Sequence, residues 1–315
     1  MSTSDSSSGS AHVLPFTGER FTPECQREIW YEHWHRYVLA RRFADGKRVL
    51  DAACGEGYGS ALLAQYAQSV VGIDIADGAI EHARQRYGSC VNLRFERGDC
   101  TALTFEDRAF DLVLSFETLE HLDAQEALIG GFARVLCDDG MLIVSSPDKR
   151  VYSEKSGFRN EFHVRELYRD ELLTLLRAHF PWVQLYAQKL LFQSALWGLD
   201  GQSGPADLAT YEHGSAGAGL NYDPLYYVAV CSKQPLAEGA LPQIALFGDA
   251  EESVYAHYNH EVRKNMAAGA RIAELEQQLR ALQAAIANAD PGAGSATGQS
   301  ATEPKPRRWW FGKTR

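Results

Sequence analysis

The chain has 315 residues, 45% of them apolar, and a formal net charge of −10 at neutral pH. That length gives room for one large domain with appendages, and the apolar share suffices for a substantial core. The acidic balance excludes a general nucleic-acid binder, because phosphate binding needs a basic face.

Residues 1–16 are Ser-rich, with neither a basic n-region nor an apolar h-region, and read as the disordered leader of a non-secreted protein. Six cysteines lie scattered without a C-x-x-C pair, so neither a zinc site nor a disulfide framework is expected, and a reduced, cytoplasmic setting fits. Residues 24–43 carry Ile29, Trp30, Trp34, Tyr37 and Val38 at helical spacing and stop before Asp45-Gly46. Their aromatics are assigned to the core, His33 and His35 to a solvated face.

From Lys47 onward, short apolar runs alternate with helical patterns, the signature of a parallel sheet with crossover helices. Strands are expected at 48–52, 69–74, 92–96, 110–115, 140–145, 182–191 and 225–232, with helices at 58–67, 77–87, 123–137 and 168–179. The first strand opens Val49–Ser60, VLDAACGEGYGS, a strand, glycine-rich loop and helix start. Glycines there let a ligand lie against main-chain N–H groups at a helix N-terminus. Gly55, Gly57 and Gly59 give G-x-G-x-G rather than the dinucleotide G-x-G-x-x-G, and Asp51 precedes the loop. A carboxylate there repels a pyrophosphate but suits an ammonium or sulfonium centre, and S-adenosylmethionine carries both.

Ligands of open α/β sheets lie beyond the carboxyl ends of the strands. The second strand ends in Asp74, about 20 residues after the loop, where a carboxylate accepts from both ribose hydroxyls. Asp99 after the third strand is suited to accept from the adenine amino group. The fourth strand runs into Glu117, Glu120 and His121.

VLDAACGEGYGS, VVGID, RGDCTAL, FDLVLSFETLEHL and GMLIVSSPD together resemble class I S-adenosylmethionine-dependent methyltransferases over residues 17–232. The resemblance implies a Rossmann-like α/β fold: a seven-stranded, mostly parallel sheet, last strand antiparallel, helices on both faces. It places Asp51, Gly55 and Gly57 at the methionine part of the cofactor, Asp74 at the ribose, and Asp99 with Cys100 at the adenine, with Ala53 and Ile75 also among the cofactor-binding residues. Ser115, Phe116 and Glu117 would lie under the bound cofactor. TGERFTPE, YEHWHRY and FHVRELYRDEL look like a subgroup of bacterial surface-polysaccharide methyltransferases, which suggests a sugar hydroxyl as acceptor.

Methyl transfer to such a hydroxyl needs positioning and removal of a proton. Glu117, Glu120 and His121 fall at i, i+3 and i+4, one helical face, and His163 could approach from the other side. Glu117, Glu120, His121 and His163 could ligate a divalent cation such as Mg2+, an arrangement similar to that of small-RNA 2′-O-methyltransferases and ubiquinone-pathway O-methyltransferases. His121 or His163 as a metal-free base, and a structural role for Glu120, remain open. Arg159 and Arg165 flank His163 as contacts for an anionic acceptor or as solvated surface, and a Gly-rich insertion spans Trp197–Tyr222.

The methyltransferase domain is assigned to 17–233 and a connector to 234–261. In the helix expected at 262–289, Ile272, Leu275, Leu279, Leu282 and Ile286 follow the 3,4 spacing of a coiled-coil seam, a site for a homo-oligomer or a partner. Residues 290–315 read as a flexible linker ending in PKPRRWWFGKTR, a basic aromatic tail suited to peripheral contact with an anionic membrane. The acceptor is expected to be a glycan, with a quinone or other small metabolite as the alternative, and a non-catalytic scaffold acting through the coiled coil as the reading from another class.

Overall fold

The computed structural model describes residues 28–196, 208–212 and 215–289. The expected leader, the TGERFTPE segment, part of the Gly-rich insertion and the basic aromatic tail lie outside the described residues. Helix α1 covers Glu28–Ala40, a 3-10 turn at Arg41–Phe43 ends it, and Gly46 at φ +65° turns the chain into the sheet. There follow β1 (Arg48–Ala52), α2 (Tyr58–Ala64), β2 (Ser69–Asp74), α3 (Asp77–Tyr87), β3 (Leu93–Arg97), β4 (Phe110–Ser115), α4 (Gln125–Val135) and β5 (Leu136–Pro147). After a π-helical segment at Arg150–Lys155 come α5 (Arg169–Arg177), β6 (Trp182–Gln188), β7 (Ala209–Glu212), β8 (Ser215–Ala218), β9 (Tyr226–Ser232) and α6 (Ser253–Ala289). Strand β5 is longer than its apolar run because Leu136 already pairs with Phe110 across an irregular register.

The seven-stranded sheet has the order β3-β2-β1-β4-β5-β9-β6, with β9 antiparallel to both neighbours and the rest parallel. This is the Rossmann-like fold read from the sequence. The order reverses between β1 and β4, so the crevice beyond their carboxyl ends is where a ligand belongs. Parallel strands covered on both faces must be apolar on both, and Val49 and Leu50 alternate into two buried clusters, one on each side of the sheet. The described part of the insertion forms a separate β7–β8 hairpin.

Residues 236–247, expected to be connector, instead pack onto the domain. Leu236, Leu241 and Ala245 sit against one core cluster, and the Phe247 ring lies 5.5 Å from that of Trp30. Two units divide after Ser253. The second holds nearly all of α6, which begins earlier than its apolar seam. Among the described residues no helix is long and apolar enough to cross a membrane.

Gly59 stands where α2 meets α1, and a Cβ there would fall 2.0 Å from the Tyr37 ring. Overpacking of this kind costs about 1–3 kcal/mol. Gly59→Ala is expected to lower the thermal midpoint by several degrees in a melt followed by circular dichroism, and an unchanged midpoint would contradict the close packing.

Candidate active site

Beyond β1, the loop coils through left-handed residues Ala53 (φ +61°), Gly55 (φ +54°) and Gly57 (φ +81°). Gly57 is required twice, by its φ and by the Phe95 ring 2.5 Å from where a Cβ would sit. Ala53 holds the left-handed conformation despite a side chain, at a cost of about 1–2 kcal/mol. Glu117, at the end of β4 across the switch point, does the same with φ +50°. Non-glycine residues strained in this way concentrate at ligand sites.

Asp51 lies under the loop, fully buried, and its carboxylate accepts from Tyr37 Oη at 3.1 Å and Ser60 Oγ at 2.5 Å. Burial pushes its pKa up to about 6, against the pull of the Ser60 and Tyr37 hydrogen bonds. Asp74 accepts from Gly55 N at 3.0 Å and Ala76 N at 2.9 Å, so the ribose candidate also ties the loop to β2. Ile75 beside it is 64% exposed, an apolar side chain turned outward at the mouth of the crevice. Asp99 is exposed, and its Oδ1 takes both the N–H and the hydroxyl of Thr101, which holds its pKa below the usual carboxylate value. Cys100 is buried, and burial pushes its thiol up to about 12. Ser115 is buried, and Phe116 packs edge-on against Tyr37 at 5.0 Å.

A second polar cluster follows β4. Glu117 Oε1 accepts from Ser145 Oγ at 2.7 Å and pairs with Arg36 at 3.2 Å. Arg36 is only 2% exposed; its Nε donates to Gln188 Oε1 at 2.7 Å, and its guanidinium lies 4.6 Å from the Tyr226 ring centroid. Glu120 is 1% exposed, with neither carboxylate oxygen hydrogen-bonded. Burial, then the charge of Glu117, drives its pKa well above the ordinary value.

His121 Nδ1 is 2.9 Å from the Phe162 carbonyl oxygen, to which it must donate. The His163 ring stands edge-on to it at 5.1 Å. His163 Nδ1 meets Glu166 Oε1 at 2.5 Å, and Nε2 faces Asn160 Nδ2 at 3.0 Å, so Nδ1 donates and Nε2 accepts. Glu166 is fixed in turn by Ser153 Oγ at 2.5 Å. Among the described residues, Glu120, His121 and His163 can offer ligand atoms within 4.8 Å of one another. Glu117 faces Arg36 and Ser145 instead. Arg159 and Arg165 are exposed.

Sequence reading had not singled out Arg36, Ser60, Ser145 or Glu166, and had placed Tyr37 only in the core. Glu166 stands three residues after His163, a spacing that could have flagged it. Nothing local marks Arg36, whose partners lie far along the chain. His33 departs from the solvated face expected for it. It is half-buried, with Nδ1 3.3 Å from Tyr58 Oη, and burial with the Arg36 charge holds its pKa well below the usual value.

Residues 50–144 match the sequence family described as a methyltransferase domain. The matched residues run from β1 into β5 and include the glycine-rich loop, Asp74 and the Glu117–His121 segment. The chain is 38% identical over 168 residues to a probable S-adenosylmethionine-dependent methyltransferase of Mycolicibacterium smegmatis, spanning 52% of this chain and 64% of that relative. It is 36% identical over 143 residues to phosphoethanolamine N-methyltransferase 1 of Zea mays, spanning 42% of this chain and 28% of the relative. Among solved structures, an S-adenosylmethionine-dependent methyltransferase of Thermotoga maritima, described as a possible histamine N-methyltransferase, superposes with a TM-score of 0.45 at 17% identity, over 65% of this chain and 90% of that one. The chain spans just under two thirds of the length of the first of these relatives.

The residues at the crevice fit S-adenosylmethionine, the cofactor that the resemblance implies. A buried carboxylate under the loop favours its positive charge, and a carboxylate at the end of β2 suits a ribose. Cofactor binding is therefore expected to be pH-dependent. Ionised Asp51 favours the cationic ligand, so affinity should fall as pH drops through about 6, by up to about tenfold per unit. Calorimetric titration between neutral and mildly acidic pH checks this, and a flat profile would disconnect Asp51 from the ligand.

Proposed function

We propose that the protein transfers a methyl group from S-adenosylmethionine to a hydroxyl, in the first instance of a sugar in a polysaccharide or lipid-linked glycan. The observation that carries the hydroxyl reading is the Glu166–His163 pair beside Glu120 and His121. An unactivated hydroxyl gives up its proton only to a well-placed base. Glu166 holds the His163 tautomer with Nε2 as the acceptor, and Asn160 faces that atom, to be displaced by the incoming hydroxyl. The sulfonium methyl then passes to the oxygen in line, and the proton rests on Nε2. Ile75 would cover one face of the adenine, Asp74 the ribose hydroxyls, and Asp99 the exocyclic amino group.

Glu120 supports a divalent cation as the alternative to this base, since His163 Nε2 can take the proton or ligate a metal but not both. Its buried, unpartnered oxygens and the two imidazoles make a chemically coherent donor set, richer in nitrogen than Mg2+ prefers and closer to the tastes of manganese, iron or zinc. A bound cation would supply Lewis acidity to the acceptor hydroxyl.

An amine acceptor is the second reading, favoured by the names of the phosphoethanolamine N-methyltransferase relatives. The deciding experiment follows radiolabelled methyl transfer onto cell-envelope glycolipid, quinone and phosphoethanolamine, with and without a chelator. Label on glycan, as a base-stable ether, supports the proposal. Label confined to the amine or the quinone overturns the sugar acceptor, and transfer indifferent to the chelator and to Glu120→Gln overturns the cation.

A further inference from the structure

Helix α6 runs from Ser253 to Ala289, about 56 Å at 1.5 Å per residue. Ile272, Leu275, Leu279, Leu282 and Ile286 are all exposed, between 46% and 69%. A helix of this length gains most of its stability by packing an apolar face. Its stripe therefore calls for a partner, and the sequence along it says which.

With Ile272 at position a of a heptad, the a positions are Asn265, Ile272, Leu279 and Ile286, and the d positions are Ala268, Leu275 and Leu282. Ile at a with Leu at d favours two strands, and one Asn at a pairs with its own copy to fix register. Between 265 and 286 the g positions are Arg271, Gln278 and Ala285, and the e positions are Gly269, Glu276 and Gln283. Parallel helices bring g of one against the next e of the other, so Arg271 meets the second copy's Glu276 on both sides of the seam. Gln278 then meets Gln283. Antiparallel helices match g with g and e with e, which gives Arg271 and Glu276 no opposite charge.

From this complementarity we infer that α6 is the dimerisation element of the protein, a parallel, in-register, two-stranded coiled coil formed with a second copy of the same chain through residues 265–286. Sedimentation equilibrium of the 315-residue chain at micromolar concentration is expected to give twice its mass of 34.9 kDa. Ile272→Lys with Leu279→Lys puts charge into the seam with a good helix former and should weaken association at least about a hundredfold, leaving cofactor affinity unchanged. Asn265→Cys should yield, on oxidation, a covalent dimer in which peptide mass spectrometry finds the two copies joined through their introduced thiols. A monomeric wild type, or a dimer that survives both lysines, overturns the inference. A trimer overturns the strand number, and an Asn265→Cys dimer that lacks this symmetric link overturns the orientation.

Discussion

Asp74→Ala is expected to weaken S-adenosylmethionine binding by about a hundredfold or more. Two ribose hydroxyls bonding to one carboxylate are worth about 1.5–3 kcal/mol each, and every 1.4 kcal/mol is a factor of ten. The same carboxylate also holds Gly55 N and Ala76 N, so its removal loosens the loop that cradles the rest of the cofactor. Asp74→Asn keeps one acceptor oxygen and should lose less. Calorimetry on both variants, each checked for an unchanged circular dichroism spectrum, measures the effect. An alanine variant within about threefold of wild type would remove Asp74 from the site, because a single lost charge-assisted bond already exceeds that.

The second large effect is at His163. Removing a positioned base costs about 10²–10⁴ in rate. His163→Ala should therefore lose methyl transfer by that factor with cofactor affinity intact, because the proposed role of the imidazole is toward the acceptor rather than the cofactor. Glu166→Gln keeps the shape and removes the charge that orients the ring. A smaller loss is expected there, with a changed pH–rate profile, whereas a merely structural Glu166 would leave the profile alone. Transfer within about tenfold of wild type in His163→Ala would take the base role away from this residue.

The two variants also separate the roles of base and cation. If His163 acts as a base, His163→Ala loses transfer while Glu120→Gln and chelation leave it largely intact. If it acts through a cation, the variant's loss is matched by that of Glu120→Gln and by chelation. Glu120 is buried and Glu117 half-buried, and they are treated differently by their neighbours. Glu117 has a guanidinium and a hydroxyl, and Glu120 has neither. A buried carboxylate without a partner is costly unless it is protonated or meets a cation. This is why Glu120, rather than Glu117, is the sensitive probe for a metal.

The sheet, its crossover helices and the cofactor loop were legible in the chain, because each is written locally. Strand runs β1, β2 and β4 begin and end as their apolar spans do, and the loop glycines are demanded by φ at Gly55 and Gly57 within a few residues of Asp51. Asp74 follows from the same local logic, as the residue at which a strand stops. The folding of residues 236–247 back onto α1 was not legible, since Leu236, Leu241 and Phe247 are spaced too irregularly to announce a helix or strand.

By itself the sequence determined the fold and pointed to the methyl donor, since periodicity and turn chemistry act over a few residues. Only the tertiary structure decided how the acids are used. Asp51 and Asp74 look alike as strand-end carboxylates, yet one is sealed beneath Tyr37 and Ser60 and the other bridges the loop to β2. Glu117 and Glu120 share one motif, yet Arg36, from a helix preceding the sheet, claims the first and leaves the second to the histidines. Such choices depend on which side chains arrive from more than a hundred residues away, as Gln188 does for Arg36, and the energy of a buried charge is set by those arrivals rather than by its own neighbours in the chain.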